Sequence, residues 1–160
     1  MSLSASKLAG KLEALATPGG FPSSAQEAGQ AWADALTGYW ADGQAIFGGP
    51  SLIPNAALAS ALAGIFSAQQ AGAGAQIDAA CTAYWLTPIP WAGIWPGVTT
   101  AVVGAGTLGP ALDAVMQANI SSRASAADAC RAIADVFHAW SLTVTVTFTT
   151  NTGPFVDTMS

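Results

Sequence analysis

The residues of this sequence whose types and spacing come nearest to chemistry are Gly104-Ala-Gly-Thr-Leu-Gly109. In a G-x-G-x-x-G turn between a strand and a helix, the glycines let backbone N–H groups close on a pyrophosphate, which the helix N-terminus also favours electrostatically. Val98-Thr-Thr-Ala-Val-Val103 before the turn has strand composition and a helical segment follows, so the local context fits. The rest of a dinucleotide site is missing. About 20 residues on, such a site needs a second parallel strand ending in an acid, and this chain has Ile120-Ser-Ser-Arg-Ala-Ser-Ala126, which reads as a loop and a helix start. Pro110 directly follows the third glycine, and too little chain remains for a doubly wound sheet. The glycine run is expected to be structural, with no cofactor.

Other candidate groups lack partners. His138 is the only imidazole, and Asp135 lies one helical turn before it. A general base also needs a nucleophile or substrate group within reach, and the sequence indicates neither. A helical His near a C-terminus, favoured by the helix dipole, is the expected role. Cys81 and Cys130 match no metal-ligand spacing and read as small buried hydrophobes in a reducing compartment. Glu27, Asp34, Asp128 and Asp135 recur on the polar faces of similar helices and read as solvated charge. No catalytic residue, metal site or enzymatic activity is expected.

Composition narrows the function classes further. Apolar residues make up 52% of the chain and charged residues 8%, against a usual charged share of roughly 25%. The net charge is −5, and the only cations are Lys7, Lys11, Arg123 and Arg131. Binding nucleic acid requires cations to neutralise phosphates, so that function is disfavoured. The stretch from Ile89 to Leu108 carries no charge, but Pro90, Pro96 and several glycines interrupt it, and no cationic flank sets an orientation. A small membrane-associated, holin-like protein is therefore only the alternative reading, with nucleotide binding at Gly104–Gly109 behind it. The opening MSLSASKLAGKLEALA lacks the apolar core of a secretory signal. The expected location is a virion or a cytoplasmic assembly.

The elements that must position these residues are mostly helices. A first amphipathic helix stops at Thr17-Pro-Gly-Gly20. A second starts at the capping pattern Ser24-Ala-Gln-Glu27 and runs to Trp40, with Ala28, Trp32, Leu36 and Tyr39 on one face. A third follows Asn55 to about Gln70, with Leu58, Leu62, Ile65 and Phe66 inward. A fourth ends near Trp85, a fifth spans about Leu108 to Ala118, and a sixth about Ala126 to Trp140. Ser24–Leu36 aligns without gaps on Ser125–Phe137, and Thr37-Gly-Tyr-Trp40 resembles Thr82-Ala-Tyr-Trp85. These likenesses suggest approximate repeats over 24–70 and 71–119 with a partial third copy at 125–140. The expected fold is one mainly α domain over 1–160. It consists of stacked helical hairpins with an internal duplication, and a C-terminal strand and tail over 141–160.

That strand, 142–149, is the clearest in the sequence. Leu142, Val144, Val146 and Phe148 alternate with threonines, and Val98–Val103 is the only internal partner in view. A lone strand leaves its backbone groups unpaired, so it pairs either with 98–103 or with a neighbouring subunit. Trp91 and Trp95, in the proline-rich segment Thr87–Gly97, join Leu142, Val144, Val146 and Phe148 as interface candidates. The Ala-rich helices with Tyr-Trp ends, the turn Trp95-Pro-Gly97 and the tail His138-x-Trp-x-Leu-Thr-Val-Thr-Val-Thr-Phe148 resemble small proteins of tailed-phage and contractile-injection-type gene clusters. The resemblance implies a structural subunit of a tail, neck, baseplate or decoration, with itself or other particle proteins as partners and no small-molecule substrate.

Overall fold

The computed structural model describes residues 3–43, 53–68, 72–88 and 97–159. In chain order the elements are α1 (Ala5–Leu15), α2 (Ala25–Trp40), α3 (Ala56–Ala68), α4 (Gly74–Trp85), β1 (Gly97–Val102), α5 (Leu108–Ser122), α6 (Ala126–Ser141), β2 (Val144–Thr150) and β3 (Gly153–Thr158). The chain is mainly helical, with one small antiparallel sheet of order β1-β2-β3.

Local chemistry sets the helix ends. The Ser24 hydroxyl accepts the Glu27 N–H at 3.2 Å, while the Glu27 carboxylate reaches back to the Ser23 N–H at 2.7 Å and the Ser23 hydroxyl at 2.6 Å. Those bonds hold the Glu27 carboxyl below the usual carboxylate range. Ser125 caps α6 in the same way, accepting the Asp128 N–H at 3.1 Å. Helix α5 runs to Ser122, past the expected end at Ala118, and stops where Arg123 turns left-handed at φ 53°. Its last turns carry no proline or glycine to mark the stop.

The helices pack as α2 on α3, α1 on α6, α4 on α5, and α5 on α6. Close approach of α2 and α3 depends on Gly29, where a Cβ would lie 2.5 Å from both the Ala59 carbonyl oxygen and the Ala63 nitrogen. At the centre the C-terminal ends of α2, α4 and α6 converge. The Trp40 ring stacks on Tyr84 at 5.2 Å, meets Trp85 edge-on at 5.2 Å and lies 6.5 Å from Trp140. The polar tips are bonded: Trp40 Nε1 donates to Ser141 Oγ at 2.8 Å, Trp140 Nε1 to the Gly104 carbonyl at 3.0 Å, and the Tyr84 hydroxyl to the Ile53 carbonyl at 3.2 Å. Trp40, Trp140 and Tyr84 thus bury large apolar area while each keeps its polar tip hydrogen-bonded.

The C-terminal strand begins at Val144, because Leu142 and Thr143 close the last turn of α6 through bonds to the His138 and Trp140 carbonyls. It finds its ladder inside the chain. Val98 faces Thr147 and Val102 faces Val144 across β1–β2, with an irregularity between Thr99 and Ala101. On the other side Phe155 faces Phe148 and Val156 faces Thr147 in β3, a strand that the sequence pattern does not announce.

Two glycine substitutions should separate packing from helix propensity. Gly29→Ala has to push α3 backbone away and should cost about 1–3 kcal/mol. Gly64→Ala meets nothing within 4 Å and should add about 0.5–1 kcal/mol by restricting the unfolded chain. Urea unfolding followed by circular dichroism checks both signs.

Candidate functional site

The six interface candidates separate sharply. Trp91 and Trp95 lie outside the described residues. Leu142 is exposed, but in the α6 C-cap and not in the strand. Val144, Val146 and Phe148 are wholly buried. Their apolar face closes the sheet onto the helices, so as surface contacts these three are corrected: they are core.

What the sheet offers outward is its other face. Val98, Thr147 and Val156 form one row across the three strands, with Thr145 and Ala101 opposite one another in the next. Thr100 adds its hydroxyl to Thr147 at 3.1 Å. No charged side chain belongs to these rows. Val156 is 59% exposed, and Val103, just past β1, is 75% exposed.

The glycine turn has its own ligand, and that ligand is a side chain. Asp78 of α4, only 3% exposed, accepts the Gly106 N–H at 3.2 Å on Oδ1 and the Gly109 N–H at 3.0 Å on Oδ2. Thr82, one turn further along α4, donates its hydroxyl to Oδ1 at 3.2 Å. The donors that a nucleotide-binding turn would present to a pyrophosphate are thus engaged by an internal carboxylate. Each glycine has a reason of its own. A Cβ on Gly104 would lie 2.7 Å from Thr143 Oγ1, Gly106 sits at φ +85°, and a Cβ on Gly109 would lie 2.9 Å from Ala75 backbone atoms.

The exchange is reciprocal. Neither the Ala73 nor the Thr107 side chain caps its own helix. Asp113 of α5 instead accepts the Gly74 N–H at 3.1 Å, at the first residue of α4. Each helix supplies the carboxylate that satisfies the other's N-terminal donors, with the favourable sign toward the helix dipole. Beside this junction runs a groove of about 530 Å3 lined by Ala75, Ala79, Thr82, Ala83, Leu86 and Pro110. The only charged residue along it is Asp78, already committed to the turn.

His138 has a structural partner. Its Nδ1 lies 2.6 Å from the Tyr39 hydroxyl, whose own ionisation burial pushes well up. Ser141, the hydroxyl nearest in sequence, is fully buried; it accepts from Trp40 and donates to the Phe137 carbonyl at 2.7 Å. It is not poised as a nucleophile. Both cysteines are free and buried, and burial raises both thiols, with Cys130 raised further by nearby Glu13. Among the described residues no group of His, Cys, Asp or Glu could hold a metal ion.

Sequence reasoning passed over Asp78, yet a signal existed. Gly74, Asp78, Cys81 and Trp85 fall on one helical stripe, and the other three are small or apolar. An acid on a buried stripe implies donors aimed at it.

Asp78→Ala should cost on the order of 1–3 kcal/mol, because it leaves the buried Gly109 N–H without its acceptor and releases the Gly106 N–H of the exposed turn. Hydrogen exchange should accelerate first at the Gly106 and Gly109 amides; unchanged stability would show that the turn holds itself. Cys81 should resist alkylation at neutral pH in the native protein and react only after denaturation, as read by mass spectrometry. Comparison of the chain with known protein families, with curated proteins and with solved structures returns no match to any of them.

Proposed function

We propose that this chain is a non-enzymatic assembly subunit that acts by packing against copies of itself and against other proteins of a larger particle. The observation that carries this reading is the C-terminal sheet, which is covered by helices on one face and presents an uncharged Val and Thr surface on the other. Exposed apolar side chains outside the sheet, Phe21 and Ile120 among them, add to it. Contiguous apolar surface on a soluble chain marks contact with another macromolecule. With charged residues at 8% of the sequence, little surface charge opposes such contact. The sequence resemblance suggests a tailed-phage or contractile-injection-type particle as the setting, at a tail, neck, baseplate or decoration position.

The two rival readings have less to stand on. Among the described residues no helix is long and apolar enough to cross a membrane, as a holin-like role by helices would need. For nucleotide binding, the Gly106 and Gly109 amides would first have to be released from Asp78.

Multi-angle light scattering across a concentration series tests the proposal. The purified chain should form a defined oligomer that persists when salt is raised, because apolar contact is not screened. A monodisperse monomer at high concentration would overturn it.

A further inference from the structure

The ladder between β2 and β3 fixes what β3 offers on its other side. In an antiparallel pair, opposed residues alternate between those that exchange backbone bonds and those that do not. The Met159 N–H donates to the Val144 carbonyl at 3.0 Å. Followed back along the register, that bond turns the backbone groups of Asp157, Phe155 and Gly153 toward β2. Those of Thr158, Val156 and Pro154 point away from it. Pro154, which has no N–H, thus stands where β2 requires none. Pro154, Val156 and Thr158 are all exposed, and β2 is the principal neighbour of the strand.

The outer edge of β3 therefore presents the N–H groups of Val156 and Thr158 and the carbonyls of Pro154, Val156 and Thr158. Such an edge is a template for another strand, and its chemistry selects which strand fits. The partner must bring acceptors opposite Val156 and Thr158 and must need no donor from Pro154. A second copy of β3, run antiparallel, meets both demands when a two-fold axis passes at Val156. Each Val156 N–H then donates to the other copy's Val156 carbonyl, and each Thr158 N–H to the other copy's Pro154 carbonyl. Moving the axis to Asp157 would also use these donors, but it sets two acidic side chains directly opposite one another, which is destabilising. With the axis at Val156, Asp157 faces the other copy's Phe155 instead.

We infer that copies of this chain join edge to edge, β3 against β3 about a two-fold axis at Val156, so that two 3-stranded sheets become one. The occupant is a second copy because β3 supplies the acceptors, the missing donor and the charge placement that its own edge demands. The row Val98–Thr147–Val156 then continues into its own reverse, and the uncharged outer face runs unbroken across both copies. Phe155 and Asp157 stand opposite the buried Phe148 and Val146, on the helix side of the sheet, and edge pairing leaves them there. The inference rests on the assembly reading above and names the edge that carries it.

Hydrogen exchange of the wild type, read amide by amide by NMR, tests the pairing at a concentration where light scattering shows an oligomer. The Val156 and Thr158 amides should be protected there as the Phe155 and Asp157 amides of the β2 ladder are. Dilution to monomer should speed the first two by about tenfold or more and leave the second two slow. Val156 and Thr158 amides that exchange as fast in the oligomer as in the monomer refute edge pairing. Two variants add an independent arm. Val156→Pro removes an outward donor and spares the β2 ladder, as Pro154 already does, so it should give a folded monomer. Val156→Thr keeps the donor and should assemble like the wild type. A Val156→Pro chain that still assembles overturns the inference, and so does loss of assembly in Val156→Thr, which would place the contact on the valine side chain. Should circular dichroism show that Val156→Pro does not fold, the exchange rates of the wild type decide alone. An oligomer without edge protection removes edge pairing only, whereas a wild type that stays monomeric removes the assembly reading with it.

Discussion

A single buried carboxylate ties the second half of this fold together. Asp78 reaches from α4 to the Gly106 N–H in the exposed turn and to the buried Gly109 N–H in the first turn of α5. Burying a charge is unfavourable unless its hydrogen bonds are complete, so α4, the glycine turn and α5 must keep one relative position. Asp113 returns the same service to Gly74, and close approach of Gly74 to Gly109 leaves no room for a side chain at either. The glycines and the two acids belong to one device. Small residues let the helix starts touch, and the carboxylates replace the caps that such closeness excludes.

The turn that Asp78 holds also serves the rest of the molecule. The Gly104 carbonyl accepts the Trp140 indole, and the Gly104 N–H goes to the Thr143 hydroxyl at 3.0 Å. Trp140 belongs to the aromatic cluster in which α2, α4 and α6 meet, while Thr143 stands at the threshold of β2. Around this cluster the chain forms few ion pairs. Lys7 and Asp42, 3.1 Å apart, make the one salt bridge among the described residues, and an exposed pair of that kind contributes little. Order in this domain comes from packed rings and satisfied backbone.

Much of the helical layout was legible in the sequence because helix starts announce themselves locally. Ser24 and Ser125, each with an acid three residues on, cap where the pattern says. The junction of α4 and α5 was not legible for the same reason: its caps come from side chains 31 and 39 residues away. Periodicity found the apolar face of β2 but could not say whether that face meets helices or another chain. It also set the start of the strand two residues early, because Leu142 and Thr143 extend the alternation while their N–H groups finish α6. β3 escaped notice because Pro154 and Asp157 are depleted in strands, and at an edge such residues are tolerated. The resemblance of Gly104–Gly109 to a nucleotide turn has a physical basis as well. Both uses need close backbone approach and free N–H groups at a helix start, and only the partner differs.

The position of β2 explains why the sheet is both well anchored and unevenly built. α6 delivers the chain to Val144 with its last turn fixed to Gly104 through Trp140 and Thr143, so the register of β2 is set from the helical side before either neighbour pairs. β1 is held from the same side, because it leads directly into the turn that Asp78 fastens. β3 stands at the edge, paired to β2 along one side, and between Gly153 and Thr158 it buries no residue. Stability within one sheet therefore falls from β1 and β2 toward β3, and edge elements with few buried side chains are the ones that open at least cost.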